Sequence, residues 1–418
     1  MFDTIIVKRD GTEVAFEREK IVRAVEKALL EVDGNLDYGY LAENTAKSVE
    51  SYLEYYDPAC ITVEEIQDLV EQFLIDGPKP ELAKAYIRYR YKREMAREQY
   101  RKLMDTISEK LNAENVQNQN ANVDEYSFGG RTGEMNEAVC KQYALDFIVS
   151  PMARENHLNN EIYIHDLGAY AVGSHNCLTI PFDDLLANGF NTRQTDVRPA
   201  QSVSTAFQLV AVIFQLQSLQ QFGGVSASHI DWTMVPYVRK SFAKHLRDGI
   251  EFILDNKEYS LNVPKELSFD DKEANDPRNK KAYDYAMKKT EREVYQAVEA
   301  MYHNLNTLQS RSGNQLPFTS VNYGTCTLPE GRMITKALLD VSIKGIGALH
   351  RTSVFPCGIF QCMKGVNRAP GDPNYDLFQL ALRSTAQRLY PNYANVDWSV
   401  NEGYDRNDPR TYVSTMGK

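Results

Sequence analysis

Val7-Lys-Arg-Asp-Gly11, followed by Glu13-Val-Ala-Phe16 and Glu19-Lys-Ile21, is the stretch from which the fold of the amino-terminal part is read. Thr4-Ile-Ile-Val7 and Glu13-Val-Ala-Phe16 are short β-prone runs on either side of Asp10-Gly11, which predicts a hairpin. Helical spacing then takes over, first at Ile21, Val25, Ala28, Leu29 and Val32, then at Leu41, Thr45, Val49 and Leu53. Thr62-Val-Glu-Glu65 reads as a capping box ahead of Ile66, Leu69, Val70 and Phe73. Gly77-Pro-Lys-Pro80 stops that helix, and a fourth begins near Glu81. The hairpin sets Lys8 and Arg9 beside the helix start that carries Lys20, three cations able to neutralise a triphosphate. Taken alone, the same residues also make an ordinary charged turn.

Between residues 79 and 102 nine Lys or Arg stand against three Glu, in a chain whose net charge is −10. By itself such a run describes a solvated helix face. The acidic surface as a whole repels nucleic-acid backbones, so nucleic acid is not an expected partner, and an anionic ligand needs a local basic pocket. Apolar residues make up 43% and charged residues 25%, values of a globular chain, and the longest apolar stretch, Leu209-Val-Ala-Val-Ile-Phe214, is too short to span a membrane. Met1-Phe-Asp-Thr-Ile-Ile-Val-Lys-Arg-Asp10 does not fit a signal peptide, so a cytoplasmic location is expected. Six cysteines (Cys60, Cys140, Cys177, Cys326, Cys357, Cys362) form no CxxC pair, which argues for reduced thiols and against a closed metal site. Neither GxxxxGK[ST] nor GxGxxG follows a strand, so the glycine-rich phosphate cradles are absent.

Residues 112–124, rich in Asn and Gln, have the composition of a linker, and the domain boundary is placed somewhat earlier, near 97. Beyond it, strands are expected at Ile162-Tyr-Ile164, Cys177-Leu-Thr-Ile180 and Phe318-Thr-Ser-Val321, and helices over 202–221, 232–256, 278–309 and 332–344. Strands alternating with helices point to an α/β architecture, with a barrel as one form of it.

The order Val7-Lys-Arg-Asp-Gly11, Phe16 and Glu19-Lys-Ile21 resembles the ATP-cone, the small regulatory domain at the amino end of many ribonucleotide reductases, and the likeness covers residues 1–97. It implies ATP or dATP, with Mg²⁺, held by Val7, Lys8, Arg9 and Lys20, and phosphate contact from the last helix. Arg88 and Lys92, one turn apart on one face, are the candidates there.

Residues 98–418 resemble the front half of the anaerobic, glycyl-radical ribonucleoside-triphosphate reductase. The likeness rests on the order and spacing of Asn118-Gln-Asn-Ala-Asn122, Ile162-Tyr-Ile-His-Asp166, Asn176-Cys177-Leu178, Asn188-Gly-Phe190, Gln221-Phe-Gly-Gly224, Lys244-His245, Lys344-Gly-Ile-Gly347, Asp372-Pro-Asn-Tyr-Asp376 and Tyr390-Pro391. The implied fold class is α/β: a small, mostly helical ATP-cone domain with an N-terminal β-hairpin, then the first part of a ten-stranded α/β barrel. In that family a glycyl radical oxidises a finger-loop cysteine to a thiyl, which removes the 3′ hydrogen of the ribose so that the 2′ hydroxyl leaves. A second cysteine on the first barrel strand acts as hydrogen donor from the other face, and Cys177 matches it. A thiol suits the work because its S–H bond exchanges a hydrogen atom readily, within an interior that excludes water. Outside the resemblance Cys177 would read as one more small buried hydrophobe.

Asn176 and His165 flank the same region and are candidates to hydrogen-bond substrate or formate, the family's usual reductant; His165 also fits a satisfied core histidine. The family often carries a second histidine where this chain has Tyr163. Lys244 matches a segment of the specificity-effector site for deoxynucleoside triphosphates, and equally an ordinary surface lysine. The resemblance further implies ribonucleoside-triphosphate substrates, a radical S-adenosylmethionine activating protein, and a homodimer or higher oligomer. It gives Cys326, Cys357 and Cys362 no role. After Ser414-Thr-Met-Gly417 the family places the thiyl cysteine, where this chain has Lys418, and the radical glycine and zinc site belong further on. The expectation is therefore a chain that binds nucleotides without turnover on its own. A non-catalytic nucleotide-sensing or assembly protein is the alternative; a formate-lyase relative is disfavoured because its adjacent cysteine pair is not seen.

Overall fold

A computed structural model describes residues 4–112, 127–173, 175–221, 223–311, 314–398 and 403–416. The Asn118–Asn122 motif, most of the expected linker, and Gly417 and Lys418 lie outside them. The chain forms two compact units, Met1–Ser108 and Glu109–Lys418.

In the first unit, β1 (Ile5–Val7) pairs antiparallel with β2 (Glu13–Ala15), as the Asp-Gly turn requires. Helices α1 (Arg18–Asp33) and α2 (Gly39–Tyr56) bury Val25, Ala28 and Leu29, and Val49 and Leu53, the stripes read from the spacing. Strand β3 (Cys60–Thr62), missed in the sequence, runs parallel to β1 and feeds α3 (Val63–Ile75). At that junction Glu65 N–H donates to Thr62 Oγ1 at 3.2 Å and Thr62 N–H donates to Glu65 at 2.8 Å, the reciprocal bonds of a capping box. Helix α4 (Pro80–Leu111) opens on Pro80 and buries Leu82, Ala83, Ala85 and Tyr86 in its first turns.

The second unit begins with α5 (Phe128–Tyr143), a π-helical turn (Ala144–Ile148), α6 (Pro151–Leu158) and α7 (Leu167–Tyr170). Strand β4 (Leu178–Thr179), α8 (Phe182–Asn188), a small hairpin of β5 (Phe190–Asn191) and β6 (Asp196–Val197), α9 (Val203–Ser218) and β7 (Val225–Ala227) follow. Next come α10 (Ile230–Thr233), α11 (Val235–Phe252), α12 (Lys257–Ser260), α13 (Lys280–Thr307) and β8 (Thr319–Tyr323). The unit closes with α14 (Pro329–Lys344), β9 (Cys357–Cys362), α15 (Tyr375–Arg388) and β10 (Asn392–Asn395). Five strands make one sheet in the order β10-β9-β8-β7-β4, every neighbouring pair parallel. The fold is thus α/β, a small helical domain with its hairpin followed by a unit built on a five-stranded parallel sheet.

Ile162-Tyr-Ile164 is not a strand. Its backbone follows the end of α6, where Ile162 N–H donates to the Asn156 carbonyl (3.3 Å) and Ile164 N–H donates to His157 Nδ1 (3.2 Å), so local acceptors replace a ladder partner. No helix among the described residues is long and apolar enough to cross a membrane.

Thr62→Ala removes the hydroxyl that accepts from Glu65 N–H and should lower the stability of the first unit by about 1 kcal/mol. Urea unfolding followed by circular dichroism checks this, with Thr62→Ser expected to hold most of the loss back.

Candidate functional sites: a paired-cation hairpin and a polar sheet face

Several cations of the first unit are already partnered by carboxylates. The Arg9 guanidinium donates to both oxygens of Glu64 on α3 and to Gln67 at 3.0 Å. Arg90 on α4 donates to Asp68 (2.6 Å) and Glu71 (2.9 Å) and reaches Glu64 at 3.4 Å, so Glu64 ties hairpin, α3 and α4 together. Hydrogen bonding from Arg9 holds the Glu64 carboxyl below the usual carboxylate range. On the first turn of α1, Lys20 donates to Glu17 at 2.8 Å. Lys8 and Arg88 are exposed, and Val7 is half-buried.

Lys92 pairs with Glu31 at 3.6 Å, near the far end of α1 from Lys20. Eleven residues of helix separate Glu31 from Lys20, ~16 Å along the axis. Of the sequence-derived set, Lys8 and Lys20 both act on Glu17, whereas Arg9 is turned to Glu64 on α3 and Lys92 lies near the other end of α1. Arg90 was missed by sequence reasoning because nothing local distinguishes it from the other arginines of α4. A cavity of about 240 Å³ between α2 and the α3–α4 turn, lined in part by Tyr40, Asn44, Ser48, Phe73 and Lys79, contains none of the expected nucleotide contacts.

The five-stranded sheet has two unlike faces, and side-chain alternation assigns them. Val225, Ala227, Val321, Tyr323 and Phe360 join the apolar core made with the helices. Ser226, Ser320, Asn322 and Gln361 alternate with them, stay outside that core and are nevertheless buried. Thr179 pairs with Ser226 across β4 and β7 and so belongs to this second face. Cys177, two residues before Thr179, shares its side and is exposed, with its Sγ 3.7 Å from Asn176 Oδ1.

The approach of this segment to β7 depends on a glycine. A Cβ at Gly223 would lie 1.4 Å from the Asn176 carbonyl oxygen, so only glycine lets the strand carrying Asn176 and Cys177 come this close. Gln221 donates to the Gly224 carbonyl at 2.7 Å and Arg311 to the Gly223 carbonyl at 2.8 Å, fixing the turn from below. At the other end of β7, Ser228 Oγ lies 2.6 Å from His229 Nδ1, His229 Nε2 lies 2.7 Å from Asp183, and Thr233 donates to Asp183 at 2.6 Å. Burial acts to raise the Asp183 carboxyl, and the bonds from His229 and Thr233 outweigh it and hold the group below its ordinary value. This brace joins α8 to the sheet; Asp183 and His229 are 46 residues apart, so no local pattern marks it.

His165 stands apart from these residues. Its side chain is 72% exposed, paired with Asp166 and edge-on to Tyr163, and among the described residues no hydrogen bond joins it to Asn176 or Cys177. It is not a core histidine. Lys244 is exposed on α11, while its neighbour His245 is bound to Glu293 at 2.8 Å. Burial pushes the Cys326 and Cys357 thiols up, away from ready ionisation. Among the described residues no group of three or more His, Cys, Asp or Glu side chains is placed to hold a metal ion.

Gly223→Ala forces the Asn176 backbone away and should destabilise the second unit by about 1–3 kcal/mol. Denaturant unfolding read by intrinsic fluorescence checks the loss, and an unchanged midpoint would contradict the close approach described.

Comparison with known proteins agrees with this division. Residues 4–95 match the ATP cone domain and residues 119–417 match the family described as anaerobic ribonucleoside-triphosphate reductase. The anaerobic ribonucleoside-triphosphate reductase of Haemophilus influenzae is 32% identical over 398 residues, covering 94% of this chain and 52% of that protein. That of Escherichia coli is 31% identical over 401 residues, with the same coverage of 94% and 52%. The chain thus spans about half the length of the curated relatives it matches. A crystal structure of the anaerobic ribonucleotide reductase from Thermotoga maritima in complex with dATP and CTP aligns at a TM-score of 0.45 and 14% identity, over 72% of this chain and 50% of that one. With the family match extending over most of its length, the chain belongs to the anaerobic ribonucleoside-triphosphate reductases and carries an ATP cone ahead of the reductase region.

Proposed function

We propose that this chain supplies the nucleotide-sensing domain (residues 1–97) and the first part of the catalytic barrel (residues 98–418) for anaerobic reduction of ribonucleoside triphosphates. The observation that carries the reading is the buried polar sheet face with the Cys177 thiol at its edge, in a chain that also bears the cone. A ribose at the edge of this face meets the exposed Thr179 hydroxyl and Cys177 thiol, on one side of a sheet whose other side is dry core. Cys177 gives a hydrogen atom to the ribose carbon that carries the unpaired electron once the 2′ hydroxyl has left: the S–H bond breaks homolytically, the hydrogen atom pairs with the carbon's odd electron in a new C–H bond, and the odd electron is left on sulfur. Asn176, whose Oδ1 faces that sulfur, orients the thiol. Formate is the proposed reductant, supplying the two electrons that loss of the 2′ hydroxyl as water requires. His165, exposed and hydrogen-bonded to Asp166, is the proposed contact for formate or substrate from the rim.

In the cone, ATP or dATP is proposed to bind as the Mg²⁺ complex against Val7, Lys8, Arg9 and Lys20, with Arg88 approaching from α4; Lys92, held by Glu31 near the other end of α1, would have to leave that partner to join them. The metal is assigned to the phosphates, since no protein carboxylate cage is required for it. Because Arg9 and Lys20 are held by Glu64 and Glu17, a triphosphate must displace these carboxylates to bind. Lys244 is the proposed contact for a deoxynucleoside-triphosphate effector at a homodimer interface, and a radical S-adenosylmethionine protein is the proposed activating partner.

Calorimetric titration of the chain with ATP and dATP, Mg²⁺ present, tests the cone. Saturable binding is expected, weakened about tenfold or more by Lys8→Ala or Lys20→Ala, because each removes a charged hydrogen-bond donor to phosphate. Glu64→Gln, which releases Arg9, should strengthen binding. Unchanged affinity in both lysine variants would overturn the assignment.

A further inference from the structure

Residues 413–415 are held by the sheet's polar face through two side-chain amides. Asn322 of β8 accepts from Thr415 N–H through Oδ1 at 3.3 Å and donates through Nδ2 to the Thr415 carbonyl at 3.1 Å. One side chain thus meets both backbone groups of one residue, as a neighbouring strand would. The same Nδ2 reaches the Ala227 carbonyl (2.9 Å) and Ser226 Oγ (3.0 Å) on β7, and Ser414 Oγ at 3.2 Å. Gln361 of β9 donates to the Val413 carbonyl and to the Ser228 carbonyl, each at 3.2 Å. Both amides are fully buried at 0% exposure, and Gln361 Oε1 lies buried with no partner among the described residues.

An apolar side chain of similar size would avoid the buried, unpartnered Oε1 of Gln361 but would take their partners from main-chain groups of residues 413 and 415, so packing alone does not explain two amides here. Their contacts fall instead on main-chain groups of residues 413 and 415, with β7 as the common reference. Contacts to the main chain fix where a segment lies without depending on its side chains.

We infer that Asn322 and Gln361 are positioning residues, two amide sockets that seat the backbone of residues 413–415 and set the register at which this segment crosses the active face. The inference rests on the proposed reading of that face as the ribonucleotide site, where the position of this segment decides which atoms come within reach of the ribose. A shift by one residue would exchange the Thr415 peptide for a neighbour's and move whatever follows by ~3.3 Å.

Hydrogen–deuterium exchange on the full 418-residue chain tests it, read in peptides spanning 403–416 and, as an internal control, in β7, β8 and α13. The wild-type chain is expected to protect the Thr415 amide. Asn322→Leu and Gln361→Met keep the volume and remove the amide, and protection in 403–416 should fall about tenfold while the control segments keep theirs. Asn322→Gln and Gln361→Asn retain an amide and should recover part of the protection. A role in packing alone gives the opposite order, because leucine and methionine fill the site better than a misfitted amide. Protection that is absent in the wild type, unchanged in the apolar variants, or lost equally across the whole sheet overturns the inference. Nucleotide titration does not enter this experiment, so its failure leaves the proposed function standing, and failure of nucleotide binding leaves the sockets standing.

Discussion

Everything in the reductase unit depends on a parallel sheet whose two faces obey different rules. One face is sealed by helices through Val225, Val321, Tyr323 and Phe360, where burial of apolar area supplies the stability. The other is buried and polar, so each hydroxyl and amide on it needs a partner or carries a penalty. Asn322 meets that demand by bonding to β7 and to residues 413–415 at once. The close approach at Gly223 and the brace from Ser228 through His229 to Asp183 then hold the two ends of β7, the strand against which Cys177 is placed. Burial on the apolar face supplies the stability, which lets the polar side differ from what a packed core would select.

The cone works under a different constraint, that of storing cations in an acidic chain. Arg9, Arg90, Lys20 and Lys92 each carry a carboxylate partner. Exposed pairs of this kind contribute little to stability, since solvent screens them. What they do is hold the guanidinium and ammonium groups in place at modest cost to whatever anion displaces the carboxylates. Glu64 is the shared element, touching both Arg9 and Arg90, so a phosphate that takes Arg9 also loosens the hairpin from α4. This gives the domain a physical route from ligand occupancy to the geometry of its longest helix.

Much of this was legible in the residues. The hairpin followed from Asp10-Gly11, the cone helices from their 3.6-residue stripes, and the α3 start from Thr62 and Glu65, because these are local rules. Strands β7, β9 and β10 were not found: Val225-Ser-Ala227 and Asn392-Tyr-Ala-Asn395 carry small or polar residues where an ordinary strand pattern would be apolar, and their partners lie far away in sequence. Ile162-Tyr-Ile164 failed in the opposite sense, being β-prone with no partner to pair with. The Cys177 position came from resemblance to a family rather than from its neighbours. Arg90, Asn322, Gln361 and Asp183 left no mark, since each acts through contacts more than a dozen residues distant.

The central claim is that the polar sheet face, with Cys177 at its edge, receives a ribonucleotide. Alkylation of the six thiols, followed by mass spectrometry with and without a ribonucleoside triphosphate, tests it most directly. The account predicts that Cys177 reacts readily in the free chain while buried Cys326 and Cys357 do not, and that the ribonucleotide slows Cys177 selectively without changing exposed Cys60. A Cys177 rate that saturating ribonucleotide leaves unmoved, or a Cys177 as unreactive as Cys326, would contradict it.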